Sequence, residues 1–333
     1  MKLRFTKQSG AARKSVPRKW IRKACAAAGI GALALVIATA GAAAAPPSGS
    51  GTGSAAPATL YVAESYNGTV ASVPASGGTP TAVANGLRQP WGVAVAGNTL
   101  YVTDVAAGTV ISVPVGGGTP TTLATGLDRP SGIAVSGNTL YVTEVPVVNT
   151  GAVVSLPVSG GTPTTLATGL SDPFGIAVSG NTLYVAESGN GTVVSLPAGG
   201  GTPTTVATGL LQPIGIAASG NTLYVIEGGN GTVVSLPAGG GTPTTVTTGL
   251  PRSFGIAVSG NTLYLTEVDN GTVVSVPASG GTPTTVATGL SGPIGIAVQS
   301  GMGCTGPLGF LGPLCNFFGS AAADVAGDTS RTR

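Results

Sequence analysis

The chain has no histidine, and charged residues make up only 8% of its 333 positions. Without imidazole there is no Ser-His-Asp or Cys-His arrangement for nucleophilic catalysis and no imidazole metal centre. Lysine stops at Lys23, so the rest of the chain has no amine for a Schiff base. Aromatics are 5% and cysteines number three, Cys25, Cys304 and Cys315. Glycines are many, but none opens a helical pattern, so phosphate-loop readings fail. Carboxylates alone remain for acid–base work, and an enzyme is the less favoured expectation. No metal or other cofactor is expected.

What charge there is sits unevenly. Residues 1–23 hold nine of the fourteen Lys and Arg, and the Ala-rich apolar run 24–45 follows. A basic segment, an apolar segment and then small residues make a secretory signal peptide over 1–45. The rival is an uncleaved anchor, since the run is long enough to span a bilayer; its Ala and Gly content favours cleavage near 43–45. Residues 46–57, "PPSGSGTGSAAP", read as a flexible linker. Removing the nine basic residues leaves five against eleven acids, a net charge of about −6. With no basic patch, nucleic acid is excluded as a partner. Export agrees with the remaining pair Cys304 and Cys315, expected as a disulfide in an oxidising compartment.

A repeat dominates the remainder. "LYV" or "LYL" begins at Leu60, Leu100, Leu140, Leu183, Leu223 and Leu263, at spacings of 40, 40, 43, 40 and 40. The extra three residues fall within 144–151. Each unit holds four short β-type runs punctuated by Gly, Asn and Pro. From 132 to 168 they read "GIAVS", "NTLYVTE", "GAVVSLP" and "PTTLAT". Four antiparallel strands repeated about every 40 residues describe propeller blades. A lone sheet of this size cannot bury both faces, so the blades stack around an axis. The chain enters at a second run and leaves after a sixth first run. The expected fold is therefore an all-β six-bladed propeller over 58–298, closed by pairing its N- and C-terminal strands in one blade. Residues 299–333 form an apolar Gly/Pro-rich tail, too broken for a membrane helix. No membrane span is expected in the mature chain, which should be monomeric unless the tail mediates association.

"GLDRPSGIAV" with "LYVTE" resembles the NHL repeat. The same stretch is similar to the YWTD repeat, with Val142 in place of its Trp and Glu144 in place of its Asp. The resemblance covers about 58–298 and implies a six-bladed propeller serving as a binding module for proteins, peptides or RNA. Some bacterial relatives are lactonases or lyases that lean on His or on metal-binding carboxylates.

One acid ends every second run: Glu64, Asp104, Glu144, Glu187, Glu227 and Glu267. Neighbouring positions would stand about 10 Å apart, while Ca²⁺ needs oxygens at about 2.3–2.6 Å. They are expected to accept backbone N–H bonds as a structural ring. The repeated Tyr61, Tyr101, Tyr141, Tyr184, Tyr224 and Tyr264 are expected between blades.

Function then belongs where the copies differ. The loops after runs one and three read "SGNT" and "SGGTP" almost unchanged. The opposite loops vary and carry Arg88, Gln89, Trp91, Tyr66, Asp128, Arg129, Asp172, Phe174, Arg252 and Phe254. Trp, Tyr and Arg are typical binding anchors; the rings before "GIAV" either contact ligand or plug the channel mouth. The expectation is a secreted bacterial binding module for a protein, peptide or glycan. The alternatives are a divergent propeller enzyme of the lactonase or lyase type, and an envelope or matrix structural protein.

Overall fold

Each blade starts with a run that reads Pro (once Ser), any residue, Gly, then β-branched and small residues. In the computed structural model, which describes residues 58–147 and 150–300, these runs are the inner strands. They are β4 (Pro90–Ala96), β8 (Pro130–Ser136), β12 (Pro173–Ser179), β16 (Pro213–Ser219), β20 (Ser253–Ser259) and β24 (Pro293–Gln299). Three further strands follow each in antiparallel order, as in blade 2, where β5 (Thr99–Asp104), β6 (Thr109–Pro114) and β7 (Thr121–Ala124) lie progressively outward. Blades 3 to 6 repeat this order. The 24 strands make six four-stranded sheets, with no helix among the described residues.

Blade 1 is assembled from both ends of the described chain. Its inner strand β24 pairs with β1 (Thr59–Glu64), from Thr59 opposite Gln299 to Glu64 opposite Pro293, and β2 (Thr69–Pro74) and β3 (Thr81–Ala84) complete it. The inner strands contact one another in the cyclic order β4, β8, β12, β16, β20, β24, so the ring is closed as its repeat phase predicted. The signal segment 1–45, the linker 46–57, the tail beyond residue 300 and the Cys304–Cys315 pairing lie outside the described residues, as do positions 148 and 149. No helix of the described residues is long and apolar enough to cross a membrane.

Both faces of a blade are covered by its neighbours, and the second strands are buried along nearly their whole length, as in β5. The repeated tyrosines fill the seams. Tyr61 packs with Val93, Leu100 and Val102 of the next blade, and Tyr101 with Ile133, Leu140 and Val142. Tyr184 in blade 4 and Tyr264 in blade 6 do the same. Burial raises the pKa of Tyr61, Tyr101, Tyr224 and Tyr264, which stay neutral phenols. The Gly of each "GIA" permits this approach. A Cβ on Gly215 would stand 2.4 Å from the Phe254 carbonyl oxygen, and one on Gly175 2.4 Å from that of Ile214.

Threonine adds a polar staple in three seams. Thr103 Oγ1 accepts the Gly92 N–H and donates to the Ser131 carbonyl of the next blade, both at 2.6 Å. Thr143 bridges Gly132 to Phe174, and Thr266 bridges Gly255 to Ile294, with every bond at 2.8 Å. The matching positions in the other blades are Ala63, Ala186 and Ile226, which cannot form it.

Candidate functional site

The variable loops owe their shape to a proline. Pro has no N–H to give to the sheet ladder, and in five blades it faces the acid that ends the second strand, as Pro90 faces Asp104 and Pro173 faces Glu187. The carboxylate instead takes the N–H two residues before that proline. Ser291 N donates to Glu64 at 2.7 Å, Asp128 N to Glu144 at 2.8 Å, Ser171 N to Glu187 at 2.9 Å and Leu211 N to Glu227 at 2.9 Å. The second oxygen ties down the following turn. Thr69 and Asn67 donate to Glu64, Thr192 to Glu187 at 2.7 Å and Asn230 to Glu227 at 3.1 Å. In blades 1, 4 and 5 the acid thus clamps the connection entering its blade to its own turn. In blade 6 that donor position is Pro251, which has none, and Glu267 holds only its turn, through Thr272 at 2.6 Å and Asn270 at 3.2 Å.

Blades 2 and 3 depart from this pattern as well. Asp104, one methylene shorter, accepts two successive backbone N–H groups, Arg88 at 2.7 Å and Gln89 at 3.0 Å, plus Ala107 N at 3.1 Å. The residue before the first inner-strand position is left-handed in the other five blades, at Arg129 (φ 54), Asp172 (φ 46), Gln212 (φ 53), Arg252 (φ 33) and Gly292 (φ 61), but not at Gln89. In blade 3 the insertion puts Val147 where the turn elsewhere has Asn67 or Asn230. There burial raises the pKa of Glu144 above its usual 4.5, the Asp128 N–H opposes the rise, and the Asp128 charge adds to it.

All charged residues among the described ones lie at this end of the propeller; the opposite loops have none. Arg88, Asp128 and Asp172 are exposed, and Arg129 and Arg252 are half-buried. Arg252 pairs with Asp269 at 2.5 Å and lies 5.7 Å from the centroid of the Phe254 ring. The exposed large apolar side chains converge here too: Tyr66 (57% exposed), Val147 (64%) and Leu211 (51%), on alternate blades 1, 3 and 5. Leu211 did not stand out as a site residue in the sequence. Its signal was that it is the one large aliphatic residue at a position otherwise filled by Arg88, Asp128, Ser171, Pro251 and Ser291.

The three rings expected either to contact a ligand or to plug the channel mouth lie under the face. Trp91 is 1% exposed and its Nε1 donates to Ser65 Oγ at 3.0 Å. Phe174 and Phe254 are also buried, in one apolar cluster with Trp91, Ile214 and Ile294. The cause is position: these residues follow the first inner-strand residue and meet one another across the channel mouth. Gln89 is 7% exposed, and its Oε1 accepts no hydrogen bond from the described residues. Among those residues no three His, Cys, Asp or Glu side chains gather as metal ligands would.

This architecture defines a six-bladed β-propeller with one differentiated face. A family model described as the LVIVD repeat matches residues 173–194, which span β12, the strand after it and the start of that blade's third strand. No curated protein matches the chain by sequence. Among solved structures, a chain from "Crystal structure of Nidogen/Laminin Complex" is similar at a TM-score of 0.65 and 20% identity, over 72% of this chain and 98% of that one. The likeness is one of fold.

Proposed function

We propose that the chain is an exported interaction module that binds a protein or peptide through its variable-loop face. The observation that carries this is the segregation of the surface. Near-identical repeats leave one face and the rim neutral and uniform, while every charge and every exposed large apolar side chain of the described residues is placed on the other face. Binding surfaces combine apolar anchors with a few charges in this way. The similar propeller was solved in a complex of two proteins, which supports a protein partner over a glycan. Export rests on the segment 1–45, and cell fractionation tests it: a chain recovered only from the cytosol would sink it.

The binding reading is tested with the purified chain against panels of peptides, proteins and glycans. A Tyr66→Ala/Arg88→Ala/Leu211→Ala variant is run beside a Thr204→Ala/Thr244→Ala variant on the outer rim. The face variant is expected to lose a protein or peptide ligand that the rim variant keeps. Equal loss in both, or retention by both, would overturn it.

A further inference from the structure

We propose that blades 6, 1 and 2 together bind a peptide segment carrying a carboxylate beside an apolar side chain. This rests on the loop face being the interaction surface and narrows it to one sector. The three blades are neighbours, since β20 packs on β24 and β24 on β4.

Four observations converge on this sector. The first is Tyr66, which lies over Gly292: a Cβ there would stand 2.6 Å from the ring. Where blades 3 to 6 carry Arg129, Asp172, Gln212 and Arg252, blade 1 has no side chain, and the ring occupies the space with its outer surface exposed. The second is Arg88, exposed and without an ion pair among the described residues. The third is a pair of buried polar atoms, Gln89 Oε1 and Ser253 Oγ, that the described residues leave without partners. A buried polar atom left unmatched is destabilising, so these two atoms mark places where a further hydrogen-bond partner fits. The fourth is rigidity. Trp91 Nε1 donates to Ser65 Oγ at 3.0 Å, and Ser65 N donates to the Gly292 carbonyl at 3.0 Å, so the Arg88 loop, the Tyr66 turn and the entry to β24 form one unit.

These groups specify a ligand by its chemistry. A guanidinium takes a carboxylate through two parallel N–H bonds. A tyrosine ring offers apolar area at low entropic cost. A largely apolar ring beside a single guanidinium suits an acidic residue with an apolar neighbour better than a uronic acid glycan, whose rings carry hydroxyls at nearly every carbon. Arg252 is held by Asp269, so Arg88 is the cation of the sector that is open to the ligand.

The test is selection of random linear peptides on the full chain, followed by anisotropy titration of the enriched sequence. Enriched peptides should carry Asp or Glu next to an apolar residue, and affinity should fall as salt rises. Arg88→Gln and Tyr66→Ala should each weaken binding about tenfold, as hot-spot losses do; Arg88→Lys should recover part of it. Leu211→Ala, across the ring in blade 5, should weaken it less. Both sector positions are exposed, and unchanged melting of the variants separates lost contact from lost fold. Enriched peptides without acids, or a larger loss in Leu211→Ala than in Arg88→Gln, would overturn the sector while leaving the face. Arg88-dependent binding of polygalacturonate with no peptide enriched would overturn the peptide. No binding at all, or binding unmoved by every face variant, would overturn both readings.

Discussion

At the scale of single residues, one hydroxyl and one methylene decide most. Thr143 satisfies a buried N–H and a buried carbonyl of two blades at once. Thr143→Val keeps the shape and strands both groups, so the unfolding midpoint in urea should fall by the equivalent of about 1–3 kcal/mol. The converse change, Ala186→Thr, offers the same bridge between Gly175 and Ile214 and should stabilise by about 1 kcal/mol. Destabilisation by Ala186→Thr would mean that the seam there is already full. The methylene is that of residue 104. Asp104→Glu should restore the one-donor clamp of the other blades and turn Gln89 left-handed, at little cost in melting temperature. Selected peptides should then bind more weakly than to the parent, a readout that a scaffold role alone would not move. Unaltered affinity would detach Asp104 from the site.

At the scale of the element, the six clamps are alike in sequence and unlike in effect. Glu187 joins Ser171 N–H and Thr192 hydroxyl in charge-assisted bonds. Glu187→Gln should therefore lower stability at neutral pH by about 1–3 kcal/mol, read as a lowered urea midpoint. Glu144 differs because its turn has Val147 instead of a donor, and its pKa is raised by burial first and by Asp128 second. A carboxyl with a raised folded pKa holds its proton more firmly in the folded state. Its contribution therefore makes the protein more stable as pH falls towards 4.5 and less stable as pH rises above it. Glu144→Gln should flatten that slope on the alkaline side of pH 4.5 without the loss seen for Glu187→Gln. An unchanged slope would mean that another group sets it. The clamp was legible in part. Six acids at one repeat position announced a shared structural task, because a charge so rare in this chain does not recur by accident. Its partners were hidden, since they depend on which residue before the proline points its N–H inward. Whether Trp91, Phe174 and Phe254 contact a ligand or plug the channel mouth stayed open in the sequence, because a ring beside a loop gives the same signal whether it points out or across the channel; they lie beneath the face.

At the scale of the whole molecule, the closed ring was readable because the phase of the repeat leaves a second strand first and a first strand last. No blade is complete without both ends, and β1 with β24 supplies the closure. If closure is the source of cooperativity, what matters is that β24 lies inside blade 1, not which bond of the chain is open. Thr59 pairs with Gln299, so the two ends are adjacent and a short linker from 300 to 58 fits between them. Opening the chain at the exposed turn at Gly137, a positive-φ site far from the variable face, breaks no strand. This permutant should melt in one transition within about 5 °C of the parent. A chain ending at residue 292 loses β24 instead. It exposes the edge of β1 and removes the inner packing of blades 6 and 2, so it should lose the cooperative transition and aggregate through the bare edge. Circular dichroism melts with size-exclusion chromatography decide between the two. A truncated chain that melts as sharply as the parent would show that the blades are stable by stacking alone, as in an open solenoid, and that the ring adds only shape.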